Sequence, residues 1–328
     1  MKISFTVCSA NYLPYAKSLG DSLIRFNPDH RFIIVLTDRL PAKDLLFFKP
    51  HQILTAEDMQ LTDLAEMNER YTIFELSCAM KPFAADYIFK QYSDCDELYY
   101  FDSDILVYGE MHVASAMLKK NPILLTPHLA TPNQFEGREN ADLDNLHTGI
   151  YNAGFFGLSR HEESNKFLQW WMERMRLYCY NDAAHGFFVD QLWLSLVPNI
   201  FLNTAILRDV GYNMAYWNFP ERSLRIHGDH YLVNEKQALI FFHFSGYDLD
   251  PGTILSKHSA KFTFANSPEF IPLYTDYRNA ALANNRDEYF TLTPYFGKKP
   301  AAPVINSEPP ASVENSFKSK YLKWFRKI

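Results

Sequence analysis

The chain has little cysteine, no excess of positive charge and no long apolar run, and each absence narrows what it can be. Its four cysteines, Cys8, Cys78, Cys95 and Cys179, are widely spaced among 328 residues and form no Cys-x-x-Cys or Cys/His cluster. That excludes structural zinc and reads as reduced thiols in a cytosolic protein. The 32 Lys and Arg against 38 Asp and Glu leave a formal net charge of −6, and the pI is near 6.0. With no global basic field, nucleic acid is not an expected partner. No stretch approaches the length of a membrane span, and the opening MKISFTVCSANYLP has too short an apolar run for a signal peptide. The sequence is therefore expected to begin directly with fold.

What the chain does have is apolar and aromatic bulk: 47% hydrophobic and 16% aromatic residues, with 27 Phe and 20 Tyr. That suffices to bury a substantial core in one large α/β domain or two small ones, and leaves rings that could stack planar ligands. Ile3 to Val7 reads as a buried strand, Tyr15 to Phe26 carries apolar residues at helical spacing, and Arg31 to Thr37 is a second strand. This order predicts a βαβ unit and a parallel sheet covered by helices, which binds ligands at the carboxyl ends of its strands.

A helical stretch follows from about Leu61 to Tyr92, in which Pro82 is expected to start a new helix, since its fixed φ suits a first turn. Glu97 to Phe101 then ends in Asp102-Ser103-Asp104 and continues as Ile105-Leu106-Val107, so an acidic tripeptide interrupts an apolar strand. A strand at Ile123 to Thr126 leads into a polar loop over 131–146, and a helix is expected from about Glu162 to Leu177. Residues 299–315 are rich in Pro, Ala and Ser and read as a linker. The final twelve residues, FKSKYLKWFRKI, carry five Lys/Arg and no acid, with Phe317, Tyr321, Trp324, Phe325 and Ile328 near one helical face. The expected organisation is a domain over 1–265, an extension over 266–298 packed on it, the linker, and a basic amphipathic tail over 316–328. Such a tail suits an anionic membrane surface; a solvated terminus is the alternative.

Asp102 and Asp104 lie two apart at a strand end, where alternation would aim both carboxylates at one ion. A hard divalent cation held there could bridge a diphosphate and neutralise the charge on a departing nucleotide; a turn or helix-cap tripeptide is the alternative. His243, on the apolar run Phe241-Phe242-His243-Phe244-Ser245-Gly246, could complete the metal shell, and mixed oxygen and nitrogen ligation favours Mn²⁺ over Mg²⁺. It could equally be a hydrogen-bonded core residue. Gly246 permits close approach of backbone to a phosphate, and Lys257 could supply a point charge to it. Asn152-Ala153-Gly154 could bind a sugar hydroxyl or mark a glycine-relieved bend. Asp190 could cap the helix that follows or accept from sugar hydroxyls, and Gln191 offers both a donor and an acceptor.

Taken in order, these pieces resemble the retaining GT-A glycosyltransferases of family 8, the galactosyltransferase and glycogenin kind, over residues 3 to about 260. Asn11-Tyr12 looks like that family's nucleotide-contacting turn, and Lys81-Pro82-Phe83 lies where it carries a basic residue. Tyr99 to Leu106 is similar to its strand and metal-binding aspartates, Asn152-Ala153-Gly154 to its sugar-binding motif, Asp190-Gln191 to its Asp-Gln pair, and His243 to Gly246 to its third metal ligand and phosphate turn. Two departures stand out. Cys8-Ser9-Ala10 lacks the acidic residue with which many relatives hold the nucleoside, and no Lys-Pro-Trp follows His243 closely, leaving Lys257 as a distant substitute. The phrase from Gly211 to Arg222 resembles one in bacterial glycosyltransferases of polysaccharide gene clusters.

The resemblance implies a GT-A α/β fold with a mixed, mainly parallel sheet. It implies a cation, Mn²⁺ or Mg²⁺, on Asp102, Asp104 and His243, with the donor held by residues 8–12, Asp102, Ser103, residues 152–154, Ser245, Gly246 and Lys257. Asp190, Gln191 and Lys81 would be the catalytic set, moving a hexose-type sugar, UDP-linked, to a glycan or lipid-linked acceptor with retention. The expected location is cytoplasmic, with the tail offering peripheral attachment to the membrane. Two readings compete: an inverting transferase using Asp190 or Glu221 as base, and a sugar-nucleotide binding protein without turnover. A nucleotidyltransferase is disfavoured, because the loop from Cys8 to Tyr15 has neither glycine nor arginine.

Overall fold

From Phe32 on, the strand over 30–36 is a continuous apolar run, and in the strand over 2–8 even the intervening Ser4 and Thr6 are fully buried, because both faces of each are covered. Ile3, Phe5, Val7, Ile33 and Val35 pack into a core on one side of the sheet; Phe32, Ile34 and Leu36 pack into a second core on the other. The computed structural model describes residues 1–39, 45–132, 141–228, 230–249 and 254–298. The expected linker and tail, and residues 133–140 of the polar loop, lie outside the described residues.

The elements that position the site are, in chain order, β1 (Lys2–Cys8), α1 (Leu13–Phe26), β2 (His30–Leu36), β3 (Gln52–Thr55), α2 (Leu64–Arg70), α3 (Ile73–Gln91), β4 (Glu97–Phe101), β5 (Ile105–Val107), α4 (His112–Leu118), β6 (Ile123–Pro127), α5 (Ala141–Thr148), β7 (Tyr151–Ser159), α6 (Glu162–Leu177), α7 (Gln191–Leu194), β8 (Thr204–Ile206) and β9 (Phe241–His243). The central sheet has seven strands in the order β8-β6-β7-β4-β1-β2-β3, mixed but mainly parallel, with β7 antiparallel to both neighbours. The chain builds outward from β1 to β3 and then returns to β4 on the other side of β1. That reversal opens a crevice beyond the carboxyl ends of β1 and β4.

Three expectations need correction. Pro82 does not begin a helix: α3 runs through it, and the break falls at Tyr71–Thr72. There a capping box forms, in which Glu75 N–H donates to Thr72 Oγ1 and Thr72 N–H donates to the Glu75 carboxylate. Leu76, Met80, Phe83 and Ile88 of α3 are buried in the first core, and at about 1.5–3 kcal/mol per large side chain this outweighs the ~3 kcal/mol cost of an interior proline. Second, the stretch expected to be loop over 131–146 is helical from Ala141, as α5. Third, Ile105–Val107 does not continue β4; it leaves the central sheet and pairs with β9.

Residues 266–298 belong to the same compact unit, Met1–Lys298. The helix Ile271–Ala283 lays Tyr277 against Tyr15 of α1 (ring centroids 5.7 Å) and against Phe244 (4.1 Å). Asn284 donates to Ser18 Oγ (2.9 Å), and Arg286 Nε donates to Tyr15 Oη (3.2 Å). Farther on, Tyr295 N–H donates to Asp38 Oδ1 (2.8 Å), Gly297 N–H to Asn68 Oδ1 (2.6 Å) and Lys298 N–H to Tyr71 O (2.6 Å).

One buried histidine makes stability depend on pH. His30 shares a hydrogen bond with Ser4 Oγ (2.8 Å) and stacks on Tyr99, and burial pushes its pKa down to about 4. Between about pH 6.5 and 4 the folded chain binds fewer protons here than the unfolded chain, so stability is full above that window and falls as pH falls through it, by on the order of 3 kcal/mol. Urea unfolding from about pH 7 down to about 4.5 should show this slope, and His30→Gln should reduce it by up to about one proton.

Candidate functional site

The site is made where β4 ends and β5 departs. Asp102 N–H donates to Gly154 O (2.8 Å) as the last link to β7, and the chain then turns through Ser103 and Asp104. β5 pairs antiparallel with β9, setting Ile105 opposite His243, and Phe244 N–H donates to Asp104 O (2.8 Å). This pairing brings His243 Nε2 to 3.0 Å from Asp104 Oδ1 and 3.8 Å from Asp102 Oδ2. One ligand atom from each of the three residues lies within 4.8 Å of the others. The two carboxylates do converge, though through the turn at 102–104 and not through strand alternation, because β4 has already ended at Phe101.

Burial disfavours charge on His243, but Asp104 and Asp102 outweigh it and raise the imidazole pKa. In return, and against its own burial, Asp104 is held below the usual aspartate range by His243. Two carboxylate oxygens and an imidazole nitrogen form a donor set suited to a divalent cation, which would take the place of the imidazole proton between the same atoms.

Lys81 of α3 lies directly beneath. Its Nζ is 2.9 Å from Asp190 Oδ2 and 3.2 Å from Asp102 Oδ1, donates to Ala153 O (3.1 Å), and sits 4.7 Å from the Tyr100 ring centre. Burial would pull the Lys81 pKa down, yet Asp102 and Asp190 hold it well above the ordinary lysine value. Tyr100 Oη donates to Asp102 Oδ1 (2.5 Å). Asp190 occupies the N-cap position of α7 but makes no capping hydrogen bond; its carboxylate, in a residue only 1% exposed, goes to Lys81. Val189 just before it is buried with φ of 41°, a left-handed conformation that β-branched residues rarely adopt and that is characteristic of functional sites.

Gln191 is committed to the protein: Oε1 accepts from Asn152 Nδ2 (3.2 Å) and Ala153 N–H (3.1 Å), and Nε2 donates to Thr148 O (3.0 Å). Asn152 Oδ1 accepts from Gly154 N–H and from Asn213 Nδ2, each at 3.0 Å, while its Nδ2 lies 3.2 Å from His128 Nε2. Gly154 has no room for a side chain. A Cβ there would stand 2.5 Å from His243 Cε1, 2.7 Å from Asn152 Oδ1 and 2.8 Å from Asp102 Oδ2.

At the end of β1, Cys8 and Ala10 are buried, Ser9 Oγ donates to Asn11 Oδ1 (2.6 Å) and Tyr12 is 42% exposed. Asp38, after β2, accepts from Ala10 N–H (3.2 Å) and pins the turn in place, but it is buried and is not among the residues that line the cleft. Gly246 has φ of 72°, and a Cβ on it would stand 2.4 Å from the His258 ring. Lys257 N–H donates to Gly246 O (2.9 Å), which sets the exposed Lys257 side chain at the mouth of the site. Every residue expected at the site except Ala10 lines one cleft of about 1650 Å³. Tyr100, His128 and Trp217 also line it, and the buried Asn213 supports it from behind by donating to Asn152 Oδ1. Tyr100 could have been found by its position two before Asp102; Asn213, at φ of 53°, carries no comparable signal.

No known family profile matches the chain. The Bacillus subtilis (strain 168) protein YfnF, itself uncharacterized, is 26% identical over 247 residues, covering 74% of this chain and 80% of YfnF. Among solved structures, the bifunctional glycosyltransferase WbbM superposes with a TM-score of 0.50 at 13% identity, over 86% of this chain and 49% of WbbM. The galactosyltransferase LgtC, solved with donor and acceptor sugar analogs, gives a TM-score of 0.48 at 14% identity, over 90% of this chain and 98% of LgtC. The chain has the GT-A fold.

Two substitutions probe this arrangement. Gly154→Ala pushes a methyl group between His243, Asn152 and Asp102, and should weaken Mn²⁺ binding at least about tenfold, read from free Mn²⁺ by electron paramagnetic resonance. Lys81→Met leaves Asp190 buried and unpaired, at a cost of about 3–5 kcal/mol in urea unfolding; adding Asp190→Asn should recover most of that loss.

Proposed function

We propose that this protein is a metal-dependent glycosyltransferase that moves a hexose-type sugar from a nucleotide diphosphate, UDP by expectation, to a glycan or lipid-linked acceptor in cell-surface polysaccharide or lipopolysaccharide synthesis. The observation that carries the reading is the β5–β9 pairing, which sets His243 against Asp102 and Asp104 at the crevice where the strand order reverses. Mn²⁺ is the favoured ion for this oxygen and nitrogen set, and when bound it supplies positive charge to a leaving diphosphate. Lys257 adds a point charge at the mouth of the cleft, and Ser9, Asn11 and Tyr12 offer the nucleoside a polar turn and an exposed ring. Lys81 and Asp190 form a fixed ion pair under the sugar, and Gln191 and Asn152 hold the β7 backbone in place around it.

The state of the candidate bases supports retention. An inverting transfer needs a carboxylate free to take the acceptor proton. Asp190 is bound to Lys81, and Glu221 accepts from Ala130 N–H, Thr131 N–H, Thr131 Oγ1 and Arg222 Nε. Both carboxylates are already in use. No helix among the described residues is long and apolar enough to cross a membrane; peripheral attachment through residues 316–328 is part of this proposal.

The test is a panel of nucleotide sugars with Mn²⁺, in which a binding donor raises the unfolding midpoint by mass action. Nucleotide release from that donor should then fall at least about 100-fold in Asp104→Asn while the far-ultraviolet circular dichroism is unchanged. Full Mn²⁺-dependent release by that variant would end the proposal.

A further inference from the structure

Gly246 leaves room for an imidazole. A Cβ there would stand 2.4 Å from His258 Cδ2, 2.9 Å from His258 Nε2 and 2.6 Å from Ser256 Oγ. The space in which a phosphate was expected to meet the Gly246 backbone is therefore taken by the His258 ring. Lys257 and His258 form the two-residue turn of an antiparallel hairpin, Ile254–Ser256 with Ser259–Thr263, closed by Ser256 opposite Ser259. Hydrogen bonds clasp this turn to the segment that follows His243. Ser256 Oγ donates to Ser245 O (2.8 Å) and accepts from His258 N–H (3.2 Å), and Lys257 N–H donates to Gly246 O (2.9 Å).

The ring is fixed but not enclosed. Tyr216 stacks against it (centroids 6.0 Å, planes 29° apart), yet His258 is exposed and lines the cleft. Partial burial and Lys257 lower its pKa, Asp104 pulls it up and His243 pushes it down, so the charges around the candidate cation reach it. A ligand that meets both the cation and this ring must carry negative charge and accept hydrogen bonds. Phosphate oxygens do both, and an imidazole offers them one N–H when neutral and two when protonated. Resting on the function proposed above, we propose that His258 binds the diphosphate of the nucleotide beside the cation, its ring N–H donating to a phosphate oxygen in place of the Gly246 backbone. Lys257, from the same turn, supplies charge at the mouth, and His258 makes the contact. The clasped turn and the stacked Tyr216 hold the ring ready, which lowers the cost of ordering it when the ligand arrives.

The test uses the full chain with ¹⁵N-labelled histidine, Mg²⁺, which does not broaden signals as Mn²⁺ does, and inorganic pyrophosphate as the probe, which needs neither base nor sugar. Of the 11 imidazoles, that of His258 is identified by the signal lost in His258→Ala. On pyrophosphate addition the His258 ring nitrogens should shift and saturate when Mg²⁺ is present, and not in its absence or in Asp104→Asn. Those of the buried His30 should stay put. Calorimetry should find pyrophosphate with Mg²⁺ bound about tenfold more weakly by His258→Ala, with a smaller loss in His258→Gln, which keeps a donor, and in Lys257→Met. An unchanged unfolding midpoint in His258→Ala, whose site is an exposed hairpin turn, separates this loss from damage to the fold. No shift at His258, a shift that needs no Mg²⁺ and so reports a phosphate away from the cation, or equal binding by wild type and His258→Ala overturns the assignment. Nucleotide release from a sugar donor is measured separately, so a failure of the proposed function registers there while the pyrophosphate titration still decides the role of His258.

Discussion

The short antiparallel seam between Ile105–Val107 and Phe241–His243 is the interaction on which the rest of the site depends. It joins a turn at the centre of the sheet to a segment from the far end of the domain, and it is only three residues wide. Backbone hydrogen bonds alone would not hold so short a pairing in water. Aromatic packing on both faces does. Phe241 packs with Phe101, Phe155 and Tyr212, while Phe242 and Phe244 pack with Tyr274, and Phe244 stacks on Tyr277. His243 is thus a polar residue in an apolar strand, and two of its neighbours are fixed before any ligand arrives.

The electrostatics follow from this geometry. Three carboxylates, Asp102, Asp104 and Asp190, meet two basic groups, Lys81 and His243, in a largely buried space. Each basic group answers to a different acid: Lys81 is shared between Asp190 and Asp102, whereas His243 belongs chiefly to Asp104. Asp102 is the carboxylate common to both halves, and Tyr100 fixes one of its oxygens. An ion entering here would engage atoms already oriented by protein partners, which lowers the reorganisation that binding requires.

Much of the frame was legible in the sequence, for identifiable reasons. β1, β2 and α6 were visible because long apolar runs and helical spacing leave few alternatives. Asp102 and Asp104 were visible as a pair, but the turn that aims them was not, since nothing in Glu97 to Val107 tells where one sheet is exchanged for another. Pro82 misled because its local preference was outweighed by the burial of α3. Asp190 looked like a helix cap, and only the tertiary approach of Lys81 shows where its carboxylate is used. Val189 takes a left-handed backbone conformation that its β-branched residue type does not announce. Gln191 and Asn152 could be located by motif, whereas the network that uses up the Gln191 amide exists only in three dimensions.

The stretch that ends at Lys298 bears on how this chain can be shortened or fused. Tyr277 lies against the segment that carries His243, and the backbone amides of Tyr295, Gly297 and Lys298 close onto Asp38, Asn68 and Tyr71. A stop codon placed at the edge of the motif-bearing region, near residue 265, would strip the outer wall from β9 and remove the contacts that Asp38, Asn68 and Tyr71 make with residues 295–298. Any shortened version meant to keep the cleft intact has to extend through Lys298, and a fusion partner belongs beyond that point.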